Sequence, residues 1–302
     1  MTRCYRCGAV AETIVVHKGH GLPYSKGLMA QSLSAIGLLP ERSFELARAV
    51  ERRLAETQRT EVDVATLNAV CEDVLLEEEG AVAVSRFRAW SRLGRLERPL
   101  VVMIGGTTGV GKSTLATMLA ARLGITRVIA TDVIRQVLRA FFTAEAMPSV
   151  HHSAFDAGGL EGYAEQAGHV ATATEAMVDR AADEAKPMVL EGVHVLPGAL
   201  GADVRRRCVL VEALLVVEDE ELHRGHFSHR PGTRPAERYL AAFDDIRLLQ
   251  AHLAERARAE RVAVIDNASV DVALGRLMQL VLGAVDETGS ESSARRGARA
   301  SE

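Results

Sequence analysis

Short apolar runs recur along the last two thirds of the chain, and amphipathic helical stretches lie between them. The five runs occupy residues 100–104, 128–131, 188–194, 209–217 and 262–267. Runs of this length that alternate with helices are typical of buried parallel strands. The pattern therefore predicts an α/β domain over residues 99–285, with a parallel sheet of about five strands covered by helices on both faces.

The first 80 residues have a different pattern. Extended pieces on either side of a glycine turn near residues 14–25 predict a β-hairpin. Three amphipathic helices should follow, starting at Ser25, Pro40 and Asp63, because serine and aspartate cap helices and proline suits the first turn. These features predict a small, mostly helical module over residues 1–80.

Two further segments flank the predicted α/β domain. Residues 81–98 form an arginine-rich helical linker, in which Trp90 should be a packing anchor between domains rather than a base-stacking residue. Residues 286–302 lack apolar periodicity and contain mainly small and charged residues. We expect this tail to be disordered.

Composition excludes several classes of protein. The aromatic fraction is 4%, the net charge is −4 and the isoelectric point is near 6.2, which argue against a nucleic-acid-binding surface. No apolar stretch approaches the length of a membrane span, and the first 20 residues lack the apolar core of a signal peptide. We expect a cytoplasmic protein without nucleic-acid or membrane partners, and the sequence leaves its oligomeric state open.

The four cysteines suggest at most a partial metal site. Cys71 and Cys208 lie in apolar patterns and should be buried residues of the core or its edge. Cys4 and Cys7 form half of a zinc ribbon, which His17 and His20 could complete. The alternative is a frayed amino terminus that binds no metal.

The clearest chemical motif directly follows the first predicted strand. Glycine, lysine and serine occupy every fixed position of the pattern G-x-x-x-x-G-K-[ST], between a strand and a helix. This motif predicts a P-loop that binds a nucleoside triphosphate through backbone amides, with Lys112 at the β- and γ-phosphates and the Ser113 hydroxyl on Mg²⁺. The predicted nucleotide-binding residues are Gly106, Thr107, Thr108, Gly109, Val110, Gly111, Lys112, Ser113 and Thr114.

Acidic residues follow the next two strands. Asp132 could orient an acceptor hydroxyl or a Mg²⁺-bound water, and Arg135, one turn later, could hold an anionic acceptor. The alternative role for Asp132 is capping the helix that begins at Val133. Glu191 follows three apolar residues, as in a Walker B strand, although aspartate is the usual residue there. Its longer side chain could hold a Mg²⁺-bound water or the acceptor rather than the metal itself.

Two irregular segments add candidate residues around the acceptor. The segment 143–163 supplies His151, His152 and Ser153, whose alternative role is simple solvent exposure. A second segment, 223–239, is rich in arginine and histidine and could close over ATP as a lid. Its candidates are Arg230 and Arg234 for transition-state charge, and Arg238 for acceptor phosphate or an ion pair.

The amino-terminal module resembles an ATP-cone, a regulatory nucleotide-binding module. The resemblance rests on the pattern Val16-x-Lys18-x-x-Gly21-x-Pro23-Tyr24-Ser25-Lys26-Gly27, followed by Ser32-Leu33 and a helix over 45–54. It implies an allosteric nucleotide at this module. Lys18 and Lys26 could meet its phosphates, or they could be ordinary surface lysines.

From Val15 to about Asn267 the chain resembles the archaeal-type 2-phosphoglycerate kinase family. The resemblance is carried by the P-loop, Thr131-Asp132-x-Ile134-Arg135, Leu190-Glu191-Gly192-Val193-His194-x-x-Pro197-Gly198, His226-Phe227-x-x-Arg230 to Arg238-Tyr239, and Ile265-Asp266-Asn267. It implies a P-loop kinase that uses ATP and Mg²⁺ to phosphorylate the 3-hydroxyl of 2-phosphoglycerate, giving 2,3-bisphosphoglycerate and ADP.

The chain departs from the family pattern in three places. Residues 144–146 are bland where the family is leucine-rich, and the Cys4–Cys7 extension and the tail have no family counterpart. The alternatives to a 2-phosphoglycerate kinase are a kinase of another phosphorylated metabolite such as an inositol phosphate, an ATP-hydrolysing motor or nucleic-acid enzyme, and a non-catalytic ATP sensor.

Overall fold

The computed structural model describes residues 13–17, 20–155, 159–228 and 236–299; for His17 and residues 290–299 it describes the backbone alone. Contacts between Cα atoms divide the chain into two compact units, Met1–Arg92 and Leu93–Glu302. Cys4 and Cys7, and with them the predicted zinc half-site, lie outside the described residues.

In its described part, the first unit combines a small mixed sheet with four helices. Strand β1 pairs antiparallel with β2, so the predicted hairpin is confirmed. The Ser25 and Asp63 side chains cap the first and third helices, and Pro40 is the first residue of the second, as predicted. The elements are β1 (Ile14–His17), β2 (His20–Pro23), α1 (Lys26–Ala35), α2 (Pro40–Glu56), β3 (Glu61–Asp63), α3 (Val64–Glu78) and α4 (Ala81–Arg92).

Two features of this unit differ from the prediction. Strand β3 was not predicted, because it has three residues and only Val62 is buried; it pairs parallel to β1. Helix α4 belongs to this unit instead of forming a separate linker. Its Phe87 is buried in the core, and Trp90 stacks on Phe87 with 6.0 Å between ring centroids. Trp90 therefore has a packing role within the unit.

The second unit contains a five-stranded parallel sheet, as predicted. The strands are β4 (Leu100–Gly105), β5 (Val128–Ala130), β6 (Met188–Gly192), β7 (Val209–Val216) and β8 (Ala263–Asp266), in the order β5-β6-β4-β7-β8. The helices are α5 (Lys112–Leu123), α6 (Thr131–Phe141), α7 (Gly159–Asp183), α8 (Ala202–Arg207), α9 (Glu220–Ser228), α10 (Ala236–Ala241), α11 (Phe243–Ala259) and α12 (Val270–Arg299). Short 3₁₀ turns cover Leu93–Arg95 and Pro148–His151.

The strand order brings the predicted acids to one edge of the sheet. Strand β6 lies between β4 and β5, so that Glu191 pairs with Ile104 on one side and Ala130 on the other. The P-loop follows β4 and Asp132 follows β5. Ligands of open parallel sheets bind beyond the carboxyl ends of the strands, where all three features meet.

Two helix boundaries need correction. Helix α6 starts at Thr131 rather than Val133, which places Asp132 within the first turn instead of at the capping position. Helix α12 runs to Arg299, beyond the boundary expected at Val285, and the predicted disordered tail is helical over its described part. Alanine, arginine and glutamate are good helix formers, so the helix continues after apolar periodicity ends.

Two other predictions concern burial and the membrane. Cys71 and Cys208 are buried, as predicted, and burial raises the pKa of both thiols. Among the described helices, none combines the length and apolar character that crossing a bilayer requires.

Candidate active site

The P-loop has the strand–loop–helix geometry that its sequence predicts. Every residue of β4 is buried, and α5 begins at Lys112, directly after the loop. The amides at the start of α5 and its dipole favour an anion at this position. The Lys112 ammonium donates a hydrogen bond to the Thr107 carbonyl at 2.6 Å, which holds it against the loop.

Oxygen donors converge where the P-loop meets β6. The Ser113 hydroxyl donates to Glu191 Oε1 at 2.8 Å, although the residues are 78 positions apart. Glu191 is only 6% exposed, whereas Ser113 opens to solvent. A hydroxyl and a carboxylate at the end of a phosphate-binding loop form the kind of oxygen donor set that Mg²⁺ prefers, so these residues fit the ion.

A cavity of about 440 Å³ opens beside the P-loop. It is bounded by the P-loop, the first turns of α6, the segment before α7 and helix α10. The described lining residues are Thr108, Asp132, Arg135, Gln136, Arg139, His151, His152, Ser153, Ala154, Phe155, Val193, Arg238 and Tyr239. The cavity thus brings together all the predicted acceptor residues, Asp132 and one P-loop residue.

Arg135 joins the two walls of this cavity. Its guanidinium donates to the carbonyls of Val150 and His152 at 3.1 and 3.0 Å, and its Nε lies 3.4 Å from Asp132 Oδ1. The side chain is 12% exposed, against 54% for Asp132. Arg135 therefore fixes the 148–152 segment to α6, while the Asp132 carboxylate faces the open part of the cavity.

The cavity carries more positive than negative charge. Its described lining includes three arginines and one aspartate. Arg238 donates to Ser153 Oγ at 2.9 Å and lies 5.5 Å from the centre of the Phe155 ring. Arg139 was not among the residues predicted from the sequence, although its spacing from Arg135 places both on one helix face. This arrangement suits an acceptor with more than one anionic group.

The remaining predicted residues have separate outcomes. His151 lies at the cavity wall, where its Nε2 donates a hydrogen bond to the Phe142 carbonyl at 2.9 Å. His152 is exposed. Arg230 and Arg234 lie outside the described residues, so their lid role stays a prediction.

The predicted regulatory site also stays a prediction. Lys18 lies outside the described residues. The Lys26 ammonium pairs with Glu51 at 2.8 Å, and both side chains are about 40% exposed. An exposed pair of this kind contributes little stability.

Known proteins of similar sequence cover nearly the whole chain. The 2-phosphoglycerate kinase of Methanopyrus kandleri is 31% identical over 282 residues, covering 88% of this chain and 86% of that protein. The 2-phosphoglycerate kinase of Pyrococcus horikoshii is also 31% identical, covering 89% of this chain and 93% of that protein. The chain belongs to the 2-phosphoglycerate kinase family. No protein-family model matches it.

Among solved structures, a shikimate kinase from Acinetobacter baumannii resembles the chain more distantly. It is 16% identical with a TM-score of 0.40, covering 65% of this chain and 97% of that one.

In this member of the 2-phosphoglycerate kinase family, a buried polar network lies behind the cavity. His194 Nε2 is 2.7 Å from Gln166 Oε1, and its Nδ1 is 3.2 Å from the Thr131 hydroxyl. The Gln166 amide donates to the carbonyls of Ser149 and His152, so its oxygen must face His194. Because this oxygen can only accept, His194 carries a proton on Nε2. The network ties the start of α6 to the 148–152 segment.

Gly192 packs closely against Thr131, which belongs to this network. A Cβ at this position would lie 1.7 Å from Thr131 Oγ1, and its φ of +155° is one that other residues rarely adopt. From the sequence, residues 188–194 were predicted as a strand with Glu191 as a Walker B-like acid, and His194 entered only as part of the family pattern. The contact between His194 and Gln166, which lies 28 residues earlier in the chain, has no local signal in the sequence.

The buried His194 makes stability depend on pH. Burial lowers its pKa from 6.5 to about 4; the Asp132 charge opposes this shift, and Arg135 and Lys112 add to it. Between these values the unfolded chain binds more protons, so the free energy of unfolding should fall as pH falls from 6.5 towards 4. The loss should total roughly 3 kcal/mol.

Thermal unfolding followed by circular dichroism at pH 7.5, 6 and 5 checks this prediction. The His194→Gln variant cannot titrate, so its melting temperature should vary less with pH than that of the wild type. The burial of His223 lowers the pKa of that residue too, and its contribution is common to both proteins. Identical pH profiles would show that His194 does not titrate as described.

Proposed function

We propose that this protein is an ATP-dependent kinase that phosphorylates 2-phosphoglycerate to 2,3-bisphosphoglycerate. The observation that carries the proposal is the arginine-rich cavity, which begins at the P-loop residue Thr108 and contains the Asp132 carboxylate. A phosphoryl donor on the loop would face an anionic acceptor in the cavity. The names of the similar proteins support this choice of acceptor.

The P-loop supplies the donor half of the proposed site. Its amides and Lys112 would hold the β- and γ-phosphates of ATP. Ser113 would bind Mg²⁺ directly, and Glu191, its hydrogen-bond partner, would hold the ion through a water molecule. When bound, the ion neutralises negative charge on the phosphates.

Arginines supply the acceptor half. 2-Phosphoglycerate carries a carboxylate and a phosphate, and guanidinium groups bind both through paired hydrogen bonds. Arg139 and Arg238 would hold these groups, with Arg135 supporting the segment that contains His151 and His152. The acceptor's remaining hydroxyl is then directed towards Asp132 and the P-loop.

Asp132 would take the proton from that hydroxyl. The hydroxyl oxygen forms a bond to the γ-phosphorus while the bond from this phosphorus to the β–γ bridging oxygen breaks, leaving ADP. Proton transfer to a positioned carboxylate and the alignment of the two substrates are the contributions of this chain.

The proposal is tested by measuring ADP formation from ATP and Mg²⁺ with different acceptors. The panel contains 2-phosphoglycerate, 3-phosphoglycerate, glycerate and inositol phosphates. We expect the highest kcat/KM for 2-phosphoglycerate. If only an inositol phosphate stimulates ADP formation, 2-phosphoglycerate is not the acceptor. ADP release that does not depend on an acceptor would indicate an ATPase. ATP binding without turnover would indicate a non-catalytic sensor.

Replacing Arg139 with alanine should weaken acceptor binding selectively. Removing one charge-assisted hydrogen-bonding group should raise the KM for 2-phosphoglycerate about tenfold or more, with the KM for ATP within about twofold of wild type. Arg139→Lys keeps the charge but lacks the planar guanidinium. Its KM for 2-phosphoglycerate should therefore lie between those of the wild type and Arg139→Ala. Arg180, an exposed arginine paired with Glu184, provides the matched control Arg180→Ala. Equal changes in the KM values for ATP and for 2-phosphoglycerate would show that Arg139 does not bind the acceptor.

A further inference from the structure

Three consecutive carbonyl groups of the P-loop accept hydrogen bonds from distant side chains. The donors lie 115, 117 and 157 residues further along the chain. The bonds run from His223 Nε2 to Thr108 O at 2.9 Å, from His226 Nδ1 to Gly109 O at 2.8 Å, and from Asn267 Nδ2 to Val110 O at 3.0 Å. A carbonyl oxygen only accepts, so each ring nitrogen must carry the proton.

These bonds determine where the loop amides point. In a planar trans peptide the C=O and the following N–H point in opposite directions. Holding the carbonyls of residues 108–110 towards α9 and the end of β8 therefore turns the amides of residues 109–111 towards the opposite side. Inward-facing amides are the groups with which a P-loop binds phosphate.

Aromatic packing fixes the position of His223. Its ring is buried, and its centroid lies 5.4 Å from those of both Phe227 and Phe243. Its Nε2 is thus held in place before any nucleotide binds.

Helix α9 also packs directly on the P-loop. A Cβ at Gly109 would lie 2.6 Å from the Phe227 ring and 2.9 Å from His223 Nε2. Gly109 occupies a variable position of the P-loop motif, so phosphate binding in general does not require glycine there. The close approach of α9, together with a φ of +89°, explains the glycine in this chain.

We propose that His223, His226 and Asn267 are positioning residues that hold the P-loop amides in the orientation that binds the phosphates of ATP. They act through the loop carbonyls instead of touching the nucleotide. The inference rests on the proposed function, because it requires ATP to bind at this loop.

His226 offers the sharpest test, because it is only partly buried and its loss should be tolerated by the fold. The His226→Ala variant of the full chain lacks the donor to Gly109, whereas His226→Asn places an amide N–H close to the position of Nδ1. We expect His226→Ala to weaken ATP binding, measured by calorimetry, about tenfold, as for one lost hydrogen bond. His226→Asn should recover most of this loss, and the KM for the acceptor should stay within about twofold.

A second variant keeps the test decisive if His226→Ala is unstable. Asn267→Asp preserves the side-chain shape but replaces the donor with an acceptor facing the Val110 carbonyl, so ATP binding should again weaken. Wild-type ATP affinity in a folded His226→Ala or Asn267→Asp variant, or a loss that His226→Asn does not recover, would overturn the positioning role. Failure of the wild-type protein to bind ATP would instead overturn the proposed function.

Discussion

Replacing Asp132 with asparagine is expected to lower kcat about 10²- to 10³-fold, because the amide cannot take a proton from the acceptor hydroxyl. Asparagine keeps the size of the side chain and its oxygen near the Arg135 guanidinium, which lies 3.4 Å from Asp132 Oδ1. The KM values for ATP and acceptor should therefore change by no more than about threefold. Steady-state ADP release at varied concentrations of each substrate gives all three constants.

Asp271 provides the matched control for this variant. Like Asp132, it is an exposed aspartate in the first turn of a helix, so both residues interact favourably with the helix dipole. Asp271→Asn should reproduce any dipole effect and retain full activity. A kcat for Asp132→Asn close to that of the control would show that Asp132 only stabilises α6.

The second large effect is expected for Glu191→Gln, which should lower activity about a hundredfold at low Mg²⁺. Glutamine can keep the hydrogen bond that Ser113 makes to Glu191 Oε1 at 2.8 Å, but it removes the buried negative charge. The Mg²⁺ concentration for half-maximal activity should rise about tenfold, because charge attracts the ion more strongly than an amide dipole. A magnesium titration at saturating ATP and acceptor measures this shift.

Glu212→Gln controls for the loss of a buried carboxylate in the same sheet. Glu212 is 8% exposed and pairs with Arg205 at 2.7 Å. Its replacement should lower the melting temperature without moving the magnesium midpoint. An unchanged midpoint for Glu191→Gln as well would place Glu191 outside the metal site.

The sequence predicted the elements of the second unit because their signals are local. Each strand of its sheet is a short apolar run, and the P-loop motif occupies adjacent positions between β4 and α5. Asp132 and Glu191 could be predicted for the same reason, since each stands at the end of such a run. Strand β3 escaped prediction because it owes its place to pairing with β1, and only Val62 of its three residues is buried.

Other parts of the candidate site depend on long-range contacts. Three strands lie in the sequence between the P-loop and both His223 and His226, and four lie between the P-loop and Asn267. Contacts over this separation leave no periodic signal in the sequence. Arg139 is an intermediate case, because its helical spacing from Arg135 was visible, but the cavity that both line appears only in the fold.

Phosphorus NMR of the reaction product tests the central claim most directly. The full-length protein is incubated with ATP, Mg²⁺ and 2-phosphoglycerate, and the phosphoesters on glycerate are assigned. We predict ADP and a glycerate with phosphate on both hydroxyls, formed in equal amounts. ADP with only inorganic phosphate, or unchanged 2-phosphoglycerate beside consumed ATP, would contradict the account.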